Sequence, residues 1–430
     1  MFFLNNFQQL LEKALQEGDG DGHYARIAQG ILDKLTRYYA TKISQNEFFY
    51  ERMIEELSKD PIPAVPARIF SQLILILLKT QNSVIHLYLS KKPQFFSLLI
   101  KSIKQEPVYD VLYSLAIDPS AQISSFFEDI NACDCLFESL SETDEIFNSR
   151  VLSIISSIIS NANPDSSLIS QIVTDEKISK IFDIALHSAY SESSYWAFSL
   201  IFELCSQMDD VSYGSDDICE EDMICTPVYE YAINHLEDIC HFICGPLPFL
   251  SKHEKAIELL VLFLRASEEN PEPFIYDTMQ ILLDRFFELK IHSIFHVSFY
   301  GLFSALMQNR SANILIEKLD MKHRIVTEYS KKDQIKDANY WGYLFSFTEH
   351  IIDIEGAPSE DENNEWKQFY DDVYYQYFDT IHKEFGGPLP SFFSDSDFDD
   401  DPNNIFIQIS NLGDGGNEIE EEEYYEEDDF

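Results

Sequence analysis

The chain has 430 residues, 45% of them hydrophobic and 14% aromatic, with 34 Phe and 23 Tyr, which is enough to fill a continuous core and excludes disorder throughout. Its 75 acidic residues against 30 basic ones give a net charge of −45, so nucleic-acid phosphates and anionic membrane surfaces are repelled. The partner that suits such a chain is a protein offering basic or apolar surface.

No apolar run approaches the ~20 residues that span a bilayer; the best, Leu73 to Leu78, is short. The opening MFFLNNFQQL lacks a basic region and turns polar too early for a signal peptide. With that start, the seven scattered cysteines point to reduced thiols in the cytosol or nucleus.

In chain order, Phe3 to Leu15 has the apolar spacing of an amphipathic helix. The acidic glycine run Gly18 to Gly22 follows. A calcium loop does not fit it, because His23 and Gly30 fall where oxygen ligands are required. Further helices are expected at Tyr24 to Tyr39, Asn46 to Leu57, Pro66 to Leu78, Ser83 to Leu89, Pro93 to Ile103, Val108 to Ile117, Ala121 to Glu128, Phe147 to Ile159 and Leu168 to Val173. Links are short, and no alternating run is bounded by hairpin turns. Asp209 to Thr226 carries Gly214, Ser215 and seven acidic residues, so the reading is a loop at 209–226. Helices resume at Val228 to Ile243 and His253 to Ser267. Phe274 to Asp353 holds several more. There Ile275, Met279, Leu282, Phe286 and Leu289 form one stripe, Phe295, Phe299, Leu302, Phe303 and Leu306 a second, and Tyr340 to Ile352 closes the stretch.

Helices that follow one another through short links imply an all-α stack of antiparallel pairs, an armadillo-like or HEAT-like α-solenoid with roughly 40 residues per unit. The expected division is a solenoid over 1–355, a linker at 356–364, a terminal amphipathic helix at 365–387 with Trp366, Phe369, Val373, Tyr374 and Phe378 on its apolar side, and a disordered acidic tail at 388–430. Residues 394–430 hold 15 acidic residues and no Lys or Arg, so most of the negative charge still belongs to the rest of the chain.

Several segments resemble a known family. Thr174-Asp175-Glu176-Lys177-Ile178 leads through one helix into a second containing Ser194, Ala197, Leu204 and Cys205. Leu78 to Ala116 and the segment with His235, Cys240, His241, Leu247 and Pro248 are similar in the same way. The best run is Leu282-Leu283-Asp284-Arg285-Phe286-Phe287, then Ile294-Phe295-His296, Arg324-Ile325, and Tyr340, Gly342 and Leu344. Together these resemble the SAPS family, the regulatory subunits of protein phosphatase 6. The chain departs from that family at Lys290, His292, Ser293 and Tyr343, and it lacks the family's N-terminal leader. The resemblance implies a non-catalytic subunit that binds a Ser/Thr protein phosphatase catalytic subunit, substrates and an additional scaffold subunit. Within the matched stretch, Asp284, Arg285, His296, Tyr340 and Gly342 are the candidate partner contacts, while the matched Phe and Leu residues are expected in the core. An unrelated armadillo-like adaptor or transport receptor for basic segments is the other reading.

Nucleophile elbows, phosphate loops, HExxH and kinase signatures are missing from the sequence. No catalytic residue, cofactor or metal is therefore expected. Cys219, Cys225, Cys240, His241 and Cys244 do not have the spacing of paired CxxC zinc ligands. Cys133 and Cys135 would face different sides of a helix. Ser394 and Ser396 each precede an acidic residue by three positions (Asp397 and Asp399), which suits an acidophilic kinase.

Overall fold

The computed structural model describes residues 2–15, 23–59, 62–91, 94–141, 144–163, 166–212, 226–266, 271–309, 312–359 and 364–381, and every regular element among them is helical. The tail from 388 with Ser394 and Ser396, Cys219, Cys225, the glycine run through Gly22 and loop residues 213–225 lie outside the described residues.

The first compact unit, 1–369, opens with α1 (Phe2–Leu15), α2 (His23–Tyr38), α3 (Ala40–Ser44), α4 (Glu47–Leu57), α5 (Ala64–Lys91), α6 (Gln94–Lys101), α7 (Glu106–Ala116) and α8 (Ala121–Asp129). Next come α9 (Ala132–Glu138), α10 (Glu145–Ser160), α11 (Ser167–Ser170), α12 (Asp175–His187), α13 (Ser191–Ser212), α14 (Thr226–Asn234), α15 (Leu236–Ile243) and α16 (Ser251–Ala266). It continues with α17 (Pro273–Glu288), α18 (Ser293–Met307), α19 (Ala312–Lys318), α20 (Met321–Tyr329), α21 (Trp341–Glu355) and α22 (Glu365–Phe369). The second unit begins at Tyr370; its described part is a π-helical turn, Tyr370–Tyr374, and α23 (Tyr375–Ile381).

Four of the differences from the sequence reading have a local reason. The helices expected at Pro66 to Leu78 and Ser83 to Leu89 are one, α5. The polar residues from Lys79 to Ser83 include no Gly or Pro, and the Thr80 hydroxyl bonds back to the Ile76 carbonyl at 2.9 Å, so the helix passes through. The single helix expected at Val228 to Ile243 is instead α14 and α15. His235 Nδ1 takes the Tyr231 carbonyl at 2.8 Å, the acceptor that its own backbone N–H would need to continue the helix. Helix α13 runs on to Ser212, so residues 209–212 of the expected loop are helical. The expected terminal helix is broken by the π turn. The wider turn shifts the apolar stripe, and Tyr374 is buried whereas Phe378 is 38% exposed.

Within the first unit, α2, α5, α7, α10, α13, α16, α18 and α21 form a row in which each helix packs on the next. Helices α12, α15 and α17 lie beside it, paired with α13, α16 and α18 respectively. Helix α10, VLSIISSIIS at its C-terminal end, is buried nearly all round, including Ser149, Ser153 and Ser156, as expected for a helix with neighbours on both sides. Small residues allow the close approach, and Ser156 Oγ donates to Ser199 Oγ at 3.2 Å.

The hydrogen bonds between successive units share one step along the chain. Arg52 reaches Glu12 (separation 40), Gln29 reaches Gln72 (43), Tyr109 meets Ser153 (44), Arg285 reaches the Cys244 carbonyl (41) and Arg324 reaches Asp284 (40). The range is 37, for the Asp134 amide on Gln171, to 50, for Tyr300 with His350. Each unit is tied to the one before it at about the length of two helices with their links.

Helix α16 shows how such a joint responds to acid. His253 is 6% exposed, and its Nδ1 accepts the Leu250 N–H at 2.9 Å, one half of a capping box. Burial, helped by Lys252, pushes its pKa from 6.5 down to about 4. Burial lowers His296 and His350 as well. A folded-state value below the unfolded one means that the unfolded chain takes up the proton first. Stability is therefore complete above pH 6.5 and falls as the pH drops toward about 4. The expected loss from His253 is about 3 kcal/mol. Urea denaturation at neutral and mildly acid pH should show the decline, and His253→Gln should show a shallower one; an equal slope in both would remove His253 from the account.

Candidate interaction surface

Helix α17 starts with a proline in its first turn, where a missing N–H costs nothing. It ends at the turn Leu289 to His292. The His292 Nδ1 then accepts the Phe295 N–H at 3.3 Å and caps α18. The backbone N–H of Asn339 donates to the Lys290 carbonyl at 2.7 Å, which fixes the same turn against the segment entering α21. Lys290 and His292 both belong to this joint.

Between α17, α18 and α21 lies an aromatic cluster centred on Phe286, which has no exposed surface. Its ring lies 4.6 Å from His296, 5.0 Å from Phe299, 5.7 Å from Tyr340, 5.9 Å from Tyr343 and 5.4 Å from Phe347. The His296 Nε2 is 3.1 Å from the Phe286 carbonyl. Because a carbonyl only accepts, Nε2 carries the proton, and burial keeps the ring neutral by lowering its pKa. Tyr340 precedes α21, and burial, with Glu328 adding to the effect, pushes its phenol up to about 12.

The five candidate contacts separate accordingly. His296 and Tyr340 are each 0% exposed, so direct contact with a partner does not fit their positions; they fasten three helices together. Arg285 donates to the carbonyls of Ile243 (3.2 Å), Cys244 (2.5 Å) and Gly245 (2.8 Å). It satisfies the C-terminal end of α15, where acceptors and the helix dipole both favour a cation. Asp284 is at the surface, with its side chain 55% exposed and paired to Arg324 at 2.5 Å. Gly342 is exposed, and a Cβ there would meet nothing within 4 Å.

An apolar strip in the same stretch of chain was not expected from the stripe pattern. Ile291, Ile294 and Val297 are 72%, 53% and 60% exposed. Leu247 and Leu250, in the preceding unit's turn, are exposed too. Phe249 joins the two turns, with its ring 4.8 Å from Phe295 and 5.6 Å from His292. The signal was in the sequence: SIFHVSFYGLFSALM is apolar on both faces, and such a helix buries one face and offers the other.

No family model matches this chain, and no curated protein does.

Cys133, Cys205 and Cys240 are core residues. Burial pushes the Cys240 thiol up to about 12 and raises Cys133 as well, as in thiols packed among apolar neighbours. Cys133 is buried and Cys135 exposed, on different sides of α9. Among the described residues no three His, Cys, Asp or Glu side chains are grouped to hold a metal ion. No helix among them is long and apolar enough to cross a membrane.

Proposed function

We propose that the chain is a non-catalytic regulatory and scaffolding subunit of the SAPS type. On this reading it is an armadillo-like or HEAT-like α-solenoid that holds a phosphatase-6-type Ser/Thr phosphatase catalytic subunit and directs it to substrates, with room for an additional scaffold subunit. The hydrogen-bonded step of 37 to 50 residues supports the solenoid. The observation that carries the partner reading is the exposed strip of Ile291, Ile294 and Val297. It lies within the stretch that resembles the family most, which also holds exposed Asp284, and apolar surface of this kind marks protein contacts.

Affinity purification of the full chain from native extract should recover a Ser/Thr phosphatase catalytic subunit. Replacing Ile291, Ile294 and Val297 together by serine should leave the circular dichroism spectrum unchanged, because exposed positions contribute little to stability. Recovery of the catalytic subunit should fall by roughly tenfold or more. Recovery of basic cargo without any phosphatase would sink the reading. Undiminished recovery with the triple variant would move the contact surface elsewhere.

A further inference from the structure

A groove of about 520 Å³ runs between α12 and the α14–α15 corner, lined by Phe182, Asp183 and His187 on one side and Tyr231, His235 and Asp238 on the other. That volume lies within the range of ligand sites. Among the described residues no Lys or Arg lines it. Two carboxylates, Asp183 and Asp238, stand in its lining. The His235 Nδ1 donates to the Tyr231 carbonyl at 2.8 Å, so Nε2 is the ring nitrogen left for another partner. His187 Nδ1 lies 3.1 Å from the Asp183 carboxylate; a carboxylate accepts, so Nδ1 carries the proton between them. Tyr231 and His235 stack with centroids 4.2 Å apart and planes within 8°, which gives the wall a π face.

The same ridge continues into a second groove of about 480 Å³ on the other side of α12, lined by Glu145, Lys180 and Ser188 and sharing Asp183 and His187 with the first. Asp183 and His187, 75% and 72% exposed, therefore stand between two adjoining grooves. This suits an elongated ligand crossing the helix rather than a compact one.

We propose that these grooves bind an extended basic peptide segment, with an arginine or lysine seated between Asp183 and Asp238 and against the Tyr231–His235 stack. A guanidinium fits the set: it has donors only, it pairs with carboxylates and imidazole nitrogen, and its flat face lies on aromatic rings. The site stands whether or not the chain's other partner is a phosphatase. It gives the excess acidity of the chain a specific place to act, in addition to steering from a distance.

The test uses the full chain and a short fluorescein-labelled peptide of alternating Arg and Ala, followed by anisotropy at physiological ionic strength. Binding should be measurable, and an Asp-for-Arg version of the peptide should not bind. The double variant Asp183→Asn, Asp238→Asn should weaken binding by about tenfold. A control pair that removes the same charge elsewhere, Asp277→Asn with Glu317→Gln, should change it by less than about twofold. His235→Ala should weaken binding while the carboxylates remain in place. Equal losses in the two double variants would show that only the diffuse field attracts the peptide and would overturn the proposal, as would no binding by the unaltered chain. Circular dichroism and thermal unfolding establish that each variant is folded. Neither result bears on whether a phosphatase co-purifies.

Discussion

Phe286→Ala should destabilise the chain by about 3–5 kcal/mol, the largest effect expected of any single truncation in the α17–α18–α21 joint. The ring has no exposed surface, and it touches rings from all three helices, including Phe299 and Phe347. Its removal leaves a cavity that rigid aromatic neighbours cannot close. Because each unit binds only those beside it, the damage should stay local. Urea denaturation followed by circular dichroism should split, with the helices around position 286 melting first and the others later. A single transition, shifted by less than about 1 kcal/mol, would show that the cluster repacks.

The second large effect belongs to Arg285. Arg285→Met should cost about 2–3 kcal/mol, because three carbonyls at the end of α15 lose a charged donor. Methionine keeps much of the stem's packing, so the loss reports the hydrogen bonds. Arg285→Lys should recover only part, since a point-like ammonium does not span three carbonyls as a planar fork does. Arg150 performs the same task earlier in the chain, donating to the carbonyls of Ile103 and Lys104 at 2.8 Å each. A Met variant as stable as the parent would show that water satisfies those acceptors equally well.

Helical character was legible throughout, because the spacing of Ile275, Met279, Leu282 and Phe286 is a property of neighbouring residues alone. The continuity of α5 and the break at His235 were less so. One depends on a back-bonded Thr80 hydroxyl and the other on a ring that takes a carbonyl from its own helix. The regular step between units was hidden because the spacing repeats while the chemistry does not. Glutamine meets glutamine in one place, serine meets serine in another, and arginine meets carbonyls in a third. A consensus search has nothing to align in such a pattern.

The candidate contacts fall into two groups. Asp284 and Gly342 lie at the surface as a contact residue should, whereas the positions of His296 and Tyr340 depend on each other across the chain, 5.9 Å apart in the core. A polar or aromatic residue in a matched stretch can be matched because it fastens helices, and sequence alone does not distinguish that from a contact. The exposed Ile294 and Val297 carry the opposite lesson, since their apolarity suggests the core and their helix already has one buried face.

The step of 37 to 50 residues also bears on how the chain is made. A bond such as Gln29 to Gln72 can close once a few tens of further residues have left the ribosome. No early segment has to wait for the C-terminus. Contacts of this modest sequence separation form quickly relative to those that join distant parts of a chain, and domains begin to fold while synthesis continues. The apolar face of each helix pair is thus exposed only for the time taken to add the next one. For a protein with this many phenylalanines, assembly in the order of translation shortens the period in which it can aggregate.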